Sequence, residues 1–385
     1  MKRVLVITPY YPYPAERNGG VHTLNALIKN MPDRVVDIFY YGENKYDEVI
    51  FTNKIGDVYN ECLLKKSKMN YLFSILNRKT YTIFRFKNKS NVLKKINEKQ
   101  YDEVYFDQYS SIQYSKYFKS CKKLINIAHD SMPLYFKRKM DLSKNVLLKI
   151  YYCLQQIFSK KEEKKYYNIF NKIIYLSNVD VEYEQNMHPE IFDKFYEANI
   201  GIDIKDVNAA PLIKLPNKTI IFTGVMDYSP NHDAMIYFIN NIWDKLYEKD
   251  NELYLYIVGK NPKKELIELC NLKNNIVCTG TVENLFSYIK SSKLYISPLR
   301  FGTGKKNKVL EALACNIPLI ASKVSLEGFK NISNYVLVAN NDKEWVEKIL
   351  NIMNDEVKYK KIKKEMNNVI NKDYNWKFIT EKMVD

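Results

Sequence analysis

Short apolar runs rich in β-branched and aromatic residues recur along this chain, separated by longer stretches of helical period. Residues 4–7, 35–40, 103–106, 123–128 and 172–177 form one series; 219–223, 253–258, 276–279, 294–296 and 336–338 form a second. Runs of this length that do not alternate polar with apolar are the mark of strands buried on both faces of a parallel sheet. Between them, apolar positions at helical spacing predict helices over 21–29, 143–171, about 234–249, from about 305 to 315, and 343–385. Asn316 and Pro318 stop the fourth, as an αL-tolerant residue followed by proline should. Strand and helix in alternation, in two series, predict an α/β chain of two doubly wound Rossmann-like domains. A chain of 385 residues is long enough for two such cores. The expected boundaries are a first domain 1–205, a linker 206–217 around its two prolines, a second domain 218–365 and a terminal helix 366–385.

Candidate chemistry gathers in the loops that follow strands, because ligands of open α/β sheets sit beyond the carboxyl ends of the strands. After 294–296 the chain reads Ser297-Pro-Leu-Arg-Phe-Gly-Thr-Gly-Lys-Lys-Asn-Lys-Val-Leu-Glu-Ala312. A glycine loop feeding a helix presents backbone N–H groups, and the positive end of the helix dipole, to an anion. Arg300, Lys305, Lys306 and Lys308 add positive side chains, and Glu311, about two turns into the expected helix, is placed to accept ribose hydroxyls. The arrangement suits a nucleoside diphosphate; on spacing alone the alternative is a strand–loop–helix corner with solvated lysines. Gly224, after strand 219–223, allows a phosphate to approach the backbone. Gly19-Gly20 ends the loop after the first strand, just before helix 21–29, and is either a second such loop or a tight turn. The strand 123–128 runs into His129-Asp130, where chemistry is possible and where a packed structural histidine is the alternative.

The run around Arg300 resembles the C-terminal signature of family 4 glycosyltransferases, in the subgroup whose pattern reads Arg-x-Gly-x-Gly-x-x-x-Lys-x-Leu-Glu-Ala. Arg300, Gly302, Gly304, Lys308, Leu310, Glu311 and Ala312 match it position for position. The family more widely carries two glutamates separated by seven residues; here Glu311 is the second, and Thr303 stands where the first would be. Further matches are Phe222-Thr-Gly-Val-Met-Asp-Tyr-Ser-Pro-Asn231, Gly201-Ile-Asp203, the Gly19-Gly20 loop, and Gly280-Thr281-Val282, a turn that in the family reads the nucleobase. The resemblance is densest over 219–330, with matches also in 1–25 and 125–203.

It implies the GT-B architecture, two Rossmann-like domains facing across a cleft, with a terminal helix that often crosses back to the first. It also implies transfer of a sugar from a nucleotide-sugar donor to a polysaccharide, glycolipid or glycan acceptor, with retention. No cofactor is expected, the nucleotide sugar being a co-substrate, and no metal. Many relatives hold the diphosphate with an Arg and a Lys after the glycine at 224; both are missing here, so the resemblance assigns Arg300 and Lys308 that task. The donor side then comprises Gly19, Gly20, Gly224, Thr281, Val282, Gly302, Thr303, Gly304, Lys305 and Glu311. His129 or Asp130 stands near the acceptor or the donor sugar.

Charge changes the picture in one respect. The net charge is +16, and residues 1–200 hold 33 Lys+Arg against 22 Asp+Glu. Between Cys62 and Asn97 there are ten basic residues and no acidic one, interleaved with Tyr71, Leu72, Phe73, Ile75, Leu76, Tyr81, Ile83, Phe84 and Phe86. Such a segment suits an anionic membrane face, an amphipathic helix pair with a solvated basic face being the alternative. Six cysteines without paired short spacing argue against a zinc framework or disulfides and fit a reducing compartment. No stretch approaches the ~20 apolar residues that span a bilayer. The expected location is cytoplasmic, peripheral on the inner membrane face. Two other classes stay open: a nucleic-acid-binding protein, which explains the charge but not the glycine–basic–Glu loop, and a sugar-nucleotide epimerase of the same architecture. A non-catalytic member is a third, because of Thr303. Nucleic acid is not the expected partner.

Overall fold

The first strand shows why these runs become sheet. Val4, Leu5, Val6 and Ile7 are fully buried, and each such side chain contributes roughly 1.5–3 kcal/mol by leaving water. In the computed structural model, which describes residues 1–14, 19–43, 49–302, 305–329, 332, 336–366 and 374–384, every sheet pairing is parallel. The chain divides into two units, residues 1–200 with 376–385 and residues 201–375.

The first unit is built on β1 (Lys2–Thr8), β2 (Arg34–Tyr40), β3 (Ile55–Asn60), β4 (Glu103–Asp107), β5 (Lys123–His129), β6 (Lys172–Tyr175) and β7 (Phe195–Glu197), in the spatial order β3-β2-β1-β4-β5-β6-β7. The second is built on β8 (Thr219–Thr223), β9 (Tyr254–Val258), β10 (Ile276–Gly280), β11 (Leu294–Ser297), β12 (Leu319–Ala321) and β13 (Leu337–Val338), in the order β10-β9-β8-β11-β12-β13. Both sheets start in the middle, run outward to one edge and then reverse. Each therefore has a switch point, between β1 and β4 and between β8 and β11, where loops part and leave a crevice.

Three features depart from the sequence reading. Residues 206–217 are not an open linker: the helix Ile204–Ala209 lies there, Lys290 Nζ donates to the Ala210 carbonyl at 2.7 Å, and Ile213 N donates to Ser291 Oγ at 2.8 Å. The segment is thus held on the second unit. Gly19 and Gly20 form the first turn of the helix Gly19–Asn30 rather than the loop before it. The helix after β11 begins at Asn307 rather than near Lys305, so Glu311 lies little more than one turn inside it.

The last helix, Trp376–Val384, packs on the first unit. Lys123 Nζ donates to its Val384 carbonyl at 2.8 Å. Arg34, which also reaches that carbonyl, binds the buried Glu103 through Nε at 3.1 Å. Burial works against a charge on Glu103, but hydrogen bonds from Arg34, Lys2 and Tyr105 hold its pKa at about 2.

Candidate functional site

Three adjacent strands of the second sheet end on glycine. Gly224 follows β8 with φ +155°, Gly259 follows β9 with φ +145°, and Gly280 closes β10 with φ +68°. Gly224 N donates to the Val258 carbonyl at 3.1 Å and Gly259 N to the Gly280 carbonyl at 3.0 Å, tying the three ends into one edge. A Cβ on Gly259 would lie 1.8 Å from the Gly224 carbonyl oxygen. Backbone meets backbone there, so nothing flexible can yield. Gly259→Ala is expected to destabilise the second unit by about 3 kcal/mol, the upper range for overpacking and backbone strain, read from the midpoint of denaturant unfolding. The sequence signal for Gly259 was its place directly after a strand.

Lys308 is the side chain this edge is built around. It lies in the first turn of the helix Asn307–Ala314, buried, and its Nζ donates to Asn231 Oδ1 at 2.5 Å. The ammonium also stands 4.2 Å from the centroid of the Phe222 ring. Asn231 is aimed by its own amide, which donates to the Val225 carbonyl at 3.0 Å. A Cβ on Gly224 would come within 3.2 Å of Lys308 Nζ and 2.6 Å of Asn231 Nδ2. Only glycine therefore lets Asn231 and Lys308 come this close to the end of β8. Burial lowers the Lys308 ammonium to about 7; the Glu311 charge offsets part of this and Lys306 adds to it.

Glu311 lies almost one turn further along the same helix. Its Oε2 accepts from Thr223 Oγ1 at 3.3 Å, and that hydroxyl also meets the buried Tyr295 phenol at 2.5 Å. Burial raises the Glu311 pKa, held back by Lys308 and by the Thr223 hydrogen bond. The residues Thr223, Gly224, Lys308 and Glu311 thus meet at the carboxyl end of β8, beside the switch point.

Arg300 is brought to the same loop pair with its charge already engaged. Its Nε donates to Asp233 Oδ2 at 2.8 Å, its Nη2 reaches the other carboxylate oxygen, and the guanidinium lies 5.0 Å from the Tyr237 ring centroid. A bidentate pair of this kind fixes geometry, so Arg300 clamps the loop after β11 to the helix Ser229–Phe238. Gly302, at φ +133°, lies where a Cβ would meet Lys306 and Pro230 at 3.6 and 3.8 Å. Lys305 is buried in the same loop. Thr303 and Gly304 lie outside the described residues.

Thr281 and Val282 stand two strands away, beyond the end of β10. Thr281 is exposed and Val282 half-buried. Strand spacing puts that turn about 10 Å from β8 along the same edge. Asn284 caps the helix Leu285–Ser291 there, accepting from Ser287 N at 3.1 Å.

In the first unit, His129 ends β5 with φ +67°. Its Nε2 is 2.7 Å from Asp107 Oδ1, and the other oxygen of Asp107 accepts from Thr8 Oγ1 at 2.9 Å. Thr8, Asp107 and His129 end β1, β4 and β5, so this triad straddles the first sheet's switch point. Burial opposes a charged imidazolium, but the Asp107 charge and hydrogen bond outweigh it and raise the His129 pKa. Asp107 was not singled out in the sequence, where nothing connects it to His129. Asp130 is half-buried one residue on, outside the triad. Gly19 and Gly20 begin their helix with Thr23 Oγ1 donating to the Gly19 carbonyl at 3.0 Å.

The chain is similar to several known proteins. An uncharacterised 44.6 kDa protein in the cps region of Klebsiella pneumoniae is 21% identical over 91% of each chain. Anabaena HepE, solved with UDP and glucose, is 13% identical with a TM-score of 0.67, over 100% of this chain and 98% of that one. The UDP-forming α,α-trehalose-phosphate synthase of Burkholderia xenovorans, solved with glucose-6-phosphate, is 10% identical with a TM-score of 0.71 over 99% of both chains. A glycosyltransferase from Rickettsia africae is 15% identical with a TM-score of 0.67, over 100% and 97%. Residues 217–355 match the family model described as Glycosyl transferases group 1, and the chain as a whole has the GT-B fold.

Proposed function

We propose that this protein is a glycosyltransferase that moves a sugar from a nucleotide-sugar donor to a polysaccharide, glycolipid or glycan acceptor. The observation that carries the reading is Lys308, a buried side chain whose Nζ stands at Gly224 and is held by Asn231, with Glu311 on the same helix. A lysine held this way is a preorganised partner for the charge that grows on a departing diphosphate. Glu311 takes the ribose, and Gly259 and Gly280 let the nucleotide lie against the strand ends. The Asp107–His129 pair serves the sugar side. Asp107 fixes the ring and favours its protonated form, so His129 donates a hydrogen bond there. The anomeric configuration is retained, and the protein's own cations do the work a metal would do at the diphosphate. UDP bound in HepE, and the UDP-forming reaction of the trehalose-phosphate synthase, support a nucleotide donor, and the Klebsiella relative's cps region supports a polysaccharide product. Calorimetry with a panel of nucleoside diphosphates tests the donor half: one should bind in the micromolar range with one site per chain, and no binding by any of them would remove the reading.

The acceptor side of this proposal is a membrane one. The helix Asn70–Leu76 leaves Tyr71, Leu72, Phe73 and Leu76 exposed, and the start of the helix Val146–Tyr166 leaves Val146, Leu147 and Ile150 exposed. The two helices are neighbours, with Gln155 Nε2 donating to Ser74 Oγ at 3.4 Å and Tyr71 6.1 Å from Tyr151. Apolar side chains among lysines suit an anionic bilayer face; no helix among the described residues is long and apolar enough to cross a membrane. Binding to phosphatidylglycerol vesicles is expected to weaken with salt, since exposed charge is screened over ~10 Å at 0.1 M. Changing Lys65, Lys66, Lys68, Arg78 and Lys79 to Gln should release the protein, and co-sedimentation equal to the parent's would count against this surface.

A further inference from the structure

The first unit holds a buried polar cluster that the proposed transfer does not use. Glu184 lies in the last turn of the helix Asn178–Met187 and His188 is the residue that ends it. Glu163 faces them from the helix Val146–Tyr166. The two glutamates are fully buried and His188 is 5% exposed. Both carboxylates turn Oε2 toward His188 Nε2, at 3.4 Å for Glu163 and 3.8 Å for Glu184. Their other oxygens are engaged: Tyr167 offers its hydroxyl to Glu163 Oε1 at 3.5 Å, and Ser131 donates to Glu184 Oε1. Glu184 Oε2 is buried with no hydrogen-bond partner.

An unpartnered carboxylate oxygen in the interior is costly, and here it stands beside a second carboxylate. A divalent cation would remove both problems. Zinc bonds of about 2.0–2.2 Å in tetrahedral array put neighbouring ligand atoms roughly 3.3 Å apart. The three ligand atoms lie within 4.8 Å of one another, and the separations of 3.4 and 3.8 Å are wider than a good hydrogen bond and close to that edge length. One imidazole with two carboxylates is a donor set that zinc accepts.

We propose that Glu163, Glu184 and His188 form a buried site for a zinc-type divalent cation. The i,i+4 pair alone gives no such hint in the sequence, because the third ligand comes from another helix. The ion would be structural. It joins two helices and, through Glu184, steadies Ser131, whose Oγ caps the helix Met132–Leu142 by accepting from Leu134 N at 3.3 Å. Ser131 follows His129 by two residues, so the cluster braces the turn that carries that histidine.

The test needs no activity and stands apart from the transferase reading. The purified full chain is stripped with chelator and titrated with Zn²⁺ and, separately, Co²⁺. The expected result is one tightly held equivalent, a rise in thermal midpoint, and cobalt d–d absorption without the near-ultraviolet thiolate band that any of the six free cysteines would give. Glu184→Gln and His188→Gln should each weaken binding at least tenfold and abolish the thermal rise, with Glu163→Gln doing the same from the other helix. A stoichiometry well below one, a thiolate band, or unchanged binding in the variants would overturn the site. The parent's cobalt spectrum decides even where a variant does not fold.

Discussion

Lys308→Ala should lower turnover by roughly a hundredfold or more, the usual scale for removing one preorganised stabilising group, with a smaller effect on donor affinity. The asymmetry follows from timing. The diphosphate carries its full extra charge only as the sugar–phosphate bond breaks, so an interaction strongest then acts on kcat. The more usual cations after Gly224 are absent from this sequence, Arg300 is bound to Asp233, and Lys308 Nζ stands at Gly224.

Its pH signature is specific. With a pKa of about 7, Lys308 loses its proton above neutrality, and an arriving diphosphate should restore it. Calorimetry at pH 8 in buffers of different ionisation enthalpy should show proton uptake on nucleotide binding, vanishing at pH 6 and in Lys308→Met. Folding supplies a control. The folded pKa is depressed below the unfolded ~10.4, so burying Lys308 costs stability in full below pH 7, and that cost is relieved as pH rises from 7 toward 10.4. Lys308→Met should therefore be at least as stable as the parent at pH 6, which separates lost catalysis from lost folding. Near-normal turnover in Lys308→Ala, or a parent that needs added Mg²⁺ or Mn²⁺ for transfer, would overturn the assignment.

Glu311→Ala should weaken nucleoside-diphosphate binding by about 1.5–3 kcal/mol, the range for a hydrogen bond to a charged group, or roughly 10–150-fold in Kd. A cycle with the 2′- and 3′-deoxy nucleotides isolates the contact. One of them should lose the same energy on the parent and almost none on the variant. Equal losses on both proteins would take the ribose from Glu311 and leave it the role seen toward Thr223.

How much of this was legible depended on whether the signal was local. Lys308, Glu311 and Gly224 stand in runs whose spacing already says strand, glycine loop and helix, and the fold brings them together. Asp107 was not legible, because its importance comes from β4 and β5 lying side by side; only the sheet order puts it against His129. Asn231 ends a quoted motif and Asp233 stands two residues beyond it, yet their tasks of aiming Lys308 and holding Arg300 require the two loops to meet. Among strands, β3 was missed because its residues are half-exposed at a sheet edge and carry no buried run, and β12 because three residues show no period. Lys305 was read as helical and lies in the loop, since Lys306 is extended and occupies the capping position.

Mass spectrometry of a complete reaction bears on the proposed activity as a whole. The full chain would be incubated with single nucleotide sugars, first alone and then with a bacterial membrane-lipid and oligosaccharide extract. The expected result is nucleoside diphosphate released in step with an acceptor heavier by one sugar, only when the extract is present, and strongly reduced with Lys308→Ala. A nucleotide sugar changed in the absence of any acceptor would make the protein an epimerase. No consumption of any donor, together with salt-dependent binding to DNA at physiological ionic strength, would contradict the transferase reading outright.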